Sequence, residues 1–262
     1  MPSAMLATLF IGLLLALILT FFYKQAVYEF RINQIEWSQR EGLGKLLTEK
    51  VPAIIRDVPR VAFWTHEDVM MRDAYSLVRV FEETPLSDWL VRTKRDEECP
   101  WEAEHGRSLA SVAGIEVWAE RELHPLVKSN PLLSAWYWPE ASCWSGGFGL
   151  WKTRAPWTCI FVTEGAIQVN VMPGKYEKSL PVAWQGMHLD KITAHDTPFA
   201  ADLKFLDIVL RPGHCLFLPA HWYASWSVLE GSEVCPMVCK VEYHTPVSQF
   251  ARWATEGKGL HA

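Results

Sequence analysis

Residues 211–224, Arg211-Pro-Gly-His-Cys-Leu-Phe-Leu-Pro-Ala-His-Trp-Tyr-Ala224, decide how this chain is read. Pro212-Gly213 is a turn signal, because proline presets φ and glycine tolerates the left-handed region a tight turn needs. His214-Cys-Leu-Phe-Leu218 after it reads as a strand, as do Phe205-Leu-Asp-Ile-Val-Leu210 before it and the run from Val234 to Tyr243 beyond it. Upstream, Thr158-Cys-Ile-Phe-Val162 and Ile167-Gln-Val-Asn-Val-Met172 flank Thr163-Glu-Gly-Ala166, which is a hairpin-like signal. Between the two halves, residues 174 to 204 are polar and punctuated by Pro181, Gly186 and Pro198, so they form a long excursion.

A second stretch, Trp151-Lys-Thr-Arg-Ala-Pro-Trp-Thr-Cys-Ile-Phe-Val-Thr-Glu-Gly165, stands in register with the first. Together they resemble the two metal-bearing halves of the JmjC or cupin-like family, which read roughly HxDxxxNxxxxxxGxK and PGDxLfxPxxWxH. Ser-Gly-Gly-Phe-Gly (145 to 149) and Pro173 agree with that frame. The resemblance implies a mainly β fold with flanking helices, a double-stranded β-helix (jelly roll) over residues 51–250. The competing reading is an unrelated all-β fold in which Pro212-Gly213 is only a turn. Aligned on Gly165, the family pattern puts Lys152 at the first histidine, Arg154 at the aspartate, Thr158 at the asparagine and Ile167 at the lysine that grips 2-oxoglutarate. Aligned on Pro212, Gly213, Pro219 and Trp222, it puts Ala224 at the second histidine. None of these side chains is a metal ligand of the kind Fe(II) takes, so the resemblance is to an enzyme family without its chemistry.

Two rival sites follow from the residues themselves. Met187-His-Leu-Asp190 contains a literal HxD, and His188 and Asp190 with His221 or His244 would supply two imidazoles and a carboxylate for Fe(II) and 2-oxoglutarate. This triplet lies in the excursion and not on the strand before Gly165. Lys152 and Arg154, if both face inward, place two cations where a divalent ion once sat. Such charges need a partner: either a carboxylate such as Glu164, Asp207 or Glu242, or a bound small anion, for which a guanidinium beside an ammonium is suited. His214 and His221 read as hydrogen-bonded histidines at strand ends.

From Pro2 to Tyr23 no residue is charged. A helix of that length reaches roughly 33 Å, which predicts a transmembrane helix over residues 1–23. No basic residue precedes the run, and Leu-Thr-Phe-Phe-Tyr-Lys lacks a small-residue cleavage pattern, which favours an anchor over a cleaved signal peptide. Lys24, Arg31, Arg40, Lys45 and Lys50 place the globular part on the cytosolic or equivalent side. Residues 24–50 read as a helical juxtamembrane stalk breaking near Gly42 or Gly44, Val51-Pro-Ala-Ile-Ile-Arg56 as an opening strand, and 251–262 as a tail.

Half of the 262 residues are hydrophobic, enough for one domain with a sizeable core. The formal charge of −5 argues against nucleic acid as a partner. The 14 tryptophans are expected mostly in the core, and the six cysteines as buried thiols; Cys235-Pro-Met-Val-Cys239 has no second pair to complete a zinc site. The resulting expectation is a membrane-anchored, catalytically inactive binding or structural module with no cofactor, an accessory component with a protein partner. A hydroxylase with an unusual ligand set and an anion-binding sensor are the alternatives.

Overall fold

The computed structural model describes residues 2–24, 30–59, 64–80, 84–92, 103–127, 136–232 and 234–250. The N-terminal half carries the α-helices: α1 (Pro2–Lys24), α2 (Leu43–Thr48), α3 (His66–Met71), α4 (Asp73–Ser76), α5 (Leu86–Arg92), α6 (Ala103–Val112), α7 (Ile115–Glu122) and α8 (His124–Val127). Among them lie four short strands, β1 (Asn33–Glu36), β2 (Ala53–Arg56), β3 (Arg79–Val80) and β4 (Thr84–Pro85). The second half is strand-built: β5 (Trp138–Ser145), β6 (Phe148–Lys152), β7 (Trp157–Glu164), β8 (Ile167–Pro173), β9 (Leu206–Leu210), β10 (Cys215–Pro219), β11 (Trp222–Val228) and β12 (Met237–His244).

Two sheets form the barrel. The major sheet has the order β1-β2-β10-β7-β12-β5 and the minor sheet β6-β11-β8-β9. From β5 onward the chain changes sheet at every link except β8 to β9, which is the winding of a double-stranded β-helix. Inside, Phe148 stacks on Trp226 with ring centroids 4.8 Å apart and meets Trp144 at 4.7 Å, so aromatic rings bridge the sheets. On the outer face of the major sheet, Trp118 of α7 packs on Phe161 at 4.9 Å, and the Tyr243 hydroxyl donates to the Ala119 carbonyl. Cys143, Cys159, Cys215 and Cys239 are buried thiols on this same face.

Several sequence expectations need correction. Helix and sheet are mixed, so the chain is not mainly β. The N-terminal run does form α1, but among the described residues no helix is long and apolar enough to cross a membrane. A single-pass protein anchored through residues 2–23, with its domain on the cytosolic side, is therefore set aside. The stretch expected as a helical stalk instead contains β1, paired in parallel with β2, a 3-10 turn at Trp37–Gly42 and α2, whose Leu43 and Leu47 enter the core. The tail 251–262 lies outside the described residues.

The hairpin expected around Gly165 is a corner. β7 pairs with β10 and β12, while β8 pairs with β11 and β9, so the two strands lie in different sheets. Gly165 has φ +74, and a β carbon there would stand 2.9 Å from the Pro236 Cα. Only glycine serves both demands, since the left-handed region disfavours a side chain and the neighbouring backbone leaves no room for one.

Candidate functional site

The strand register of β6 against β11 gives the residues that face one another across these two strands. Tyr223 stands opposite Lys152, and Ala224 stands opposite Trp151. Neighbouring side chains on a strand point to opposite faces. Tyr223 and Leu150 pack outward with Met172, Leu180 and Leu189 under the excursion, whereas Ala224 and Trp226 belong to the barrel core, with Trp151 packed against it. The inner position facing Ala224 is thus held by Trp151, and Lys152 points away from the barrel. Arg154 lies beyond the end of β6 and is exposed. The condition that Lys152 and Arg154 both face the barrel axis is not met, since Lys152 lies on the outer side with Tyr223 and Arg154 is exposed beyond β6. Counting back from Gly165 crosses the corner at 153–156, where spacing alone does not say which strand face comes next. Ile167, at the lysine position, is buried opposite Val228 and Leu210.

On the outer face, the Lys152 ammonium donates to the Glu177 carboxylate at 2.8 Å and sits 5.3 Å from the centre of the Tyr223 ring. None of the three expected carboxylates pairs with it. Glu164 meets His66 at 2.9 Å, Asp207 accepts from Asn170, and Glu242 pairs with Lys240 at 3.0 Å. Burial pushes the Glu177 carboxyl up, but hydrogen bonds from Lys152 and Tyr223, with the charges of Lys152 and His221, hold it below its ordinary value. A carboxylate depressed on folding contributes stability above its unfolded pKa and loses it as pH falls through the folded one. Lys152→Met should therefore lower the melting temperature at neutral pH, and the gap to the original protein should close below about pH 4, where carboxyls are protonated. Melting curves over that range check this; a gap that does not change with pH would show that the pair adds nothing.

The inner face of the major sheet carries a second polar group, of which the sequence pointed to Glu242 but not to its partner Lys240. Lys240 and Glu242 alternate with the outward Cys239, Val241 and Tyr243, a period-2 signal that was readable in the run from Val234 to Tyr243. Lys240 stands 4.7 Å from the centre of the Trp151 ring, so cation and indole join the two sheets. Glu242 lies opposite both Thr158 on β7 and Glu140 on β5. Arg107 of α6 holds Glu140 at 2.8 Å, with His244 3.5 Å away. Two carboxylates are thereby matched by two cations at the mouth of the barrel.

The HxD triplet is not gathered into a ligand set. His188 is buried at 4% exposure, while Asp190, two residues on in the 3-10 turn Leu189–Lys191, is exposed. His221 lies in the corner between β10 and β11 with φ +67, its N–H donating to the Thr153 carbonyl. Among the described residues, no group of three or more His, Cys, Asp or Glu side chains is placed to hold a metal ion. Cys235 and Cys239 diverge, toward Ser145 and Cys143 respectively.

Beside β6 an open cleft of ≈ 420 Å³ runs along the edge of the minor sheet, between the strand and residues 184–186 of the excursion. Trp151, Trp184 and Gln185 line it on a glycine floor, and its charged lining residues, Lys152 and Arg154, are both cationic.

The strand order is that of a cupin-like fold. No family model matches the chain, and no curated protein does. A solved structure that does match is the crystal structure of hydroquinone 1,2-dioxygenase from Sphingomonas sp. TTNP3 with 4-hydroxybenzoate bound, at 17% identity and a TM-score of 0.28. The match covers 43% of this chain and 62% of that one, so it spans less than two thirds of the dioxygenase.

Proposed function

We propose that this chain is a JmjC-like barrel that has given up Fe(II) and 2-oxoglutarate chemistry and acts as a binding module, with the cleft beside β6 as the receptor for an anionic group. The observation that carries the first part is the pair Trp151 and Ala224 on the inner face. An indole N–H donates but offers no lone pair, and a methyl offers nothing, so these residues do not fit the metal. The cleft supports the second part. Lys152 and Arg154 give it one sign of charge, and Trp151 and Trp184 give it flat apolar walls. Arg154 is exposed at the cleft, and its planar fork suits a carboxylate or phosphate.

Purified protein should hold no stoichiometric iron and should not decarboxylate 2-oxoglutarate. Phosphate or succinate should raise its melting temperature, and Arg154→Leu should abolish most of that rise. One iron per chain that disappears in His188→Ala would overturn the reading, as would equal stabilisation of both proteins by the anions.

A further inference from the structure

We infer that the inner face of the barrel, between Trp151, Trp222 and Thr158, is a second binding site, which takes a small neutral hydrogen-bond acceptor such as an amide carbonyl. This site goes beyond the outer cleft and does not depend on it. Trp151 Nε1, Trp222 Nε1 and Thr158 Oγ1 are each buried with no hydrogen-bond partner. Thr158 and Trp222 are fully buried, so solvent at the surface does not satisfy them.

All three residues stand on the inner face of the barrel. Trp222 lies two residues before Ala224 on the same side of β11, and Trp151 stands opposite Ala224, which makes the two indoles diagonal neighbours with only a methyl between them. Thr158 reaches in from the other sheet, opposite Glu242, and the contact of Lys240 with the Trp151 ring brings that side of the barrel against the indole. Buried polar groups are as a rule paired, so three unpaired donors on one inner face give a ligand's acceptor something to bind.

The chemistry of the component follows from what is unmet. Both indole nitrogens can only donate, and the threonine hydroxyl can donate as well. The full charges nearby are already matched, Lys240 with Glu242 at 3.0 Å and Arg107 with Glu140 at 2.8 Å. The demand is thus for an acceptor without a net charge. Trp151 also lines the outer cleft.

The test is a titration of the full chain, labelled with 15N at its indoles, with N-methylacetamide, the Trp151 and Trp222 resonances being assigned from the Trp→Phe variants. The Trp222 indole N–H should move downfield and saturate. Thr158→Val should weaken the binding roughly tenfold, the value of one good hydrogen bond, while Thr158→Ser should retain it. Should Thr158→Val not fold, Trp151→Phe is read at Trp222 with the same loss expected. Phosphate should leave Trp222 unmoved whether or not it occupies the cleft, which separates this inference from the reading of the outer site. A Trp222 resonance that never saturates would overturn it, as would unchanged affinity in the variants, or protection by water alone.

Discussion

Lys240→Met should lower the unfolding free energy by about 3 kcal/mol, because it takes an ammonium away from a carboxylate that the fold has largely removed from water. The Lys240 and Glu242 side chains are 14% and 19% exposed, and Glu242 stands directly opposite Glu140. Without the ammonium, the two like charges of Glu242 and Glu140 face each other across β5 and β12, a repulsion worth up to about 1 kcal/mol by itself. The contact with the Trp151 ring is lost as well. Removing both partners in Lys240→Met with Glu242→Leu should recover all but about 1 kcal/mol, since apolar groups of similar size can replace a sequestered ion pair. Urea midpoints of the original, the two single variants and the double variant measure the coupling, provided the slope of the transition is constant. Additive single effects would mean that the pair is fully solvated and that the barrel mouth is not a closed polar site.

The second large effect is expected from Gly149→Val, which should cost about 3 kcal/mol, the upper end for overpacking. A β carbon at this position falls on the backbone of Gly186, and backbone on both sides leaves nothing flexible to give way. The next residue, Leu150, donates its N–H to the Met187 carbonyl, so the excursion is fastened to the edge of β6 at this crossing. Forcing the two apart should lift residues 184–188 off the strand and open the small core of Leu150, Met172, Leu180, Leu189 and Tyr223. Limited proteolysis should then cut within the excursion well below the melting temperature. Gly186→Asn is the control: Gly186 has φ +81 and open space around its β position, and asparagine tolerates that backbone, so the cost should stay below about 1 kcal/mol. A Gly149→Val protein that melts and resists protease like the original would show that the excursion does not cross the strand there.

The sequence by itself determined where the strands of the second half lie. Thr158–Val162, Ile167–Met172 and the runs around Pro212-Gly213 are legible because apolar, β-branched and aromatic side chains between turn residues are a local signal. It also determined that Ile167 and Ala224 bring no charged or ligating group to their positions, since side-chain chemistry needs no coordinates to read. Which strands pair was a different matter. The Gly165 turn serves a hairpin and a corner equally well, and only distant partners, β10 and β12 on one side and β11 on the other, made it a corner. The same holds at the candidate site. A slip of one residue exchanges the two faces of a strand, so Trp151 rather than Lys152 meets Ala224, and Glu177, which lies 25 residues from Lys152, became its partner. Pairing, facing and burial arise from contacts far apart in the chain, and those are properties of the packed barrel that no local pattern carries.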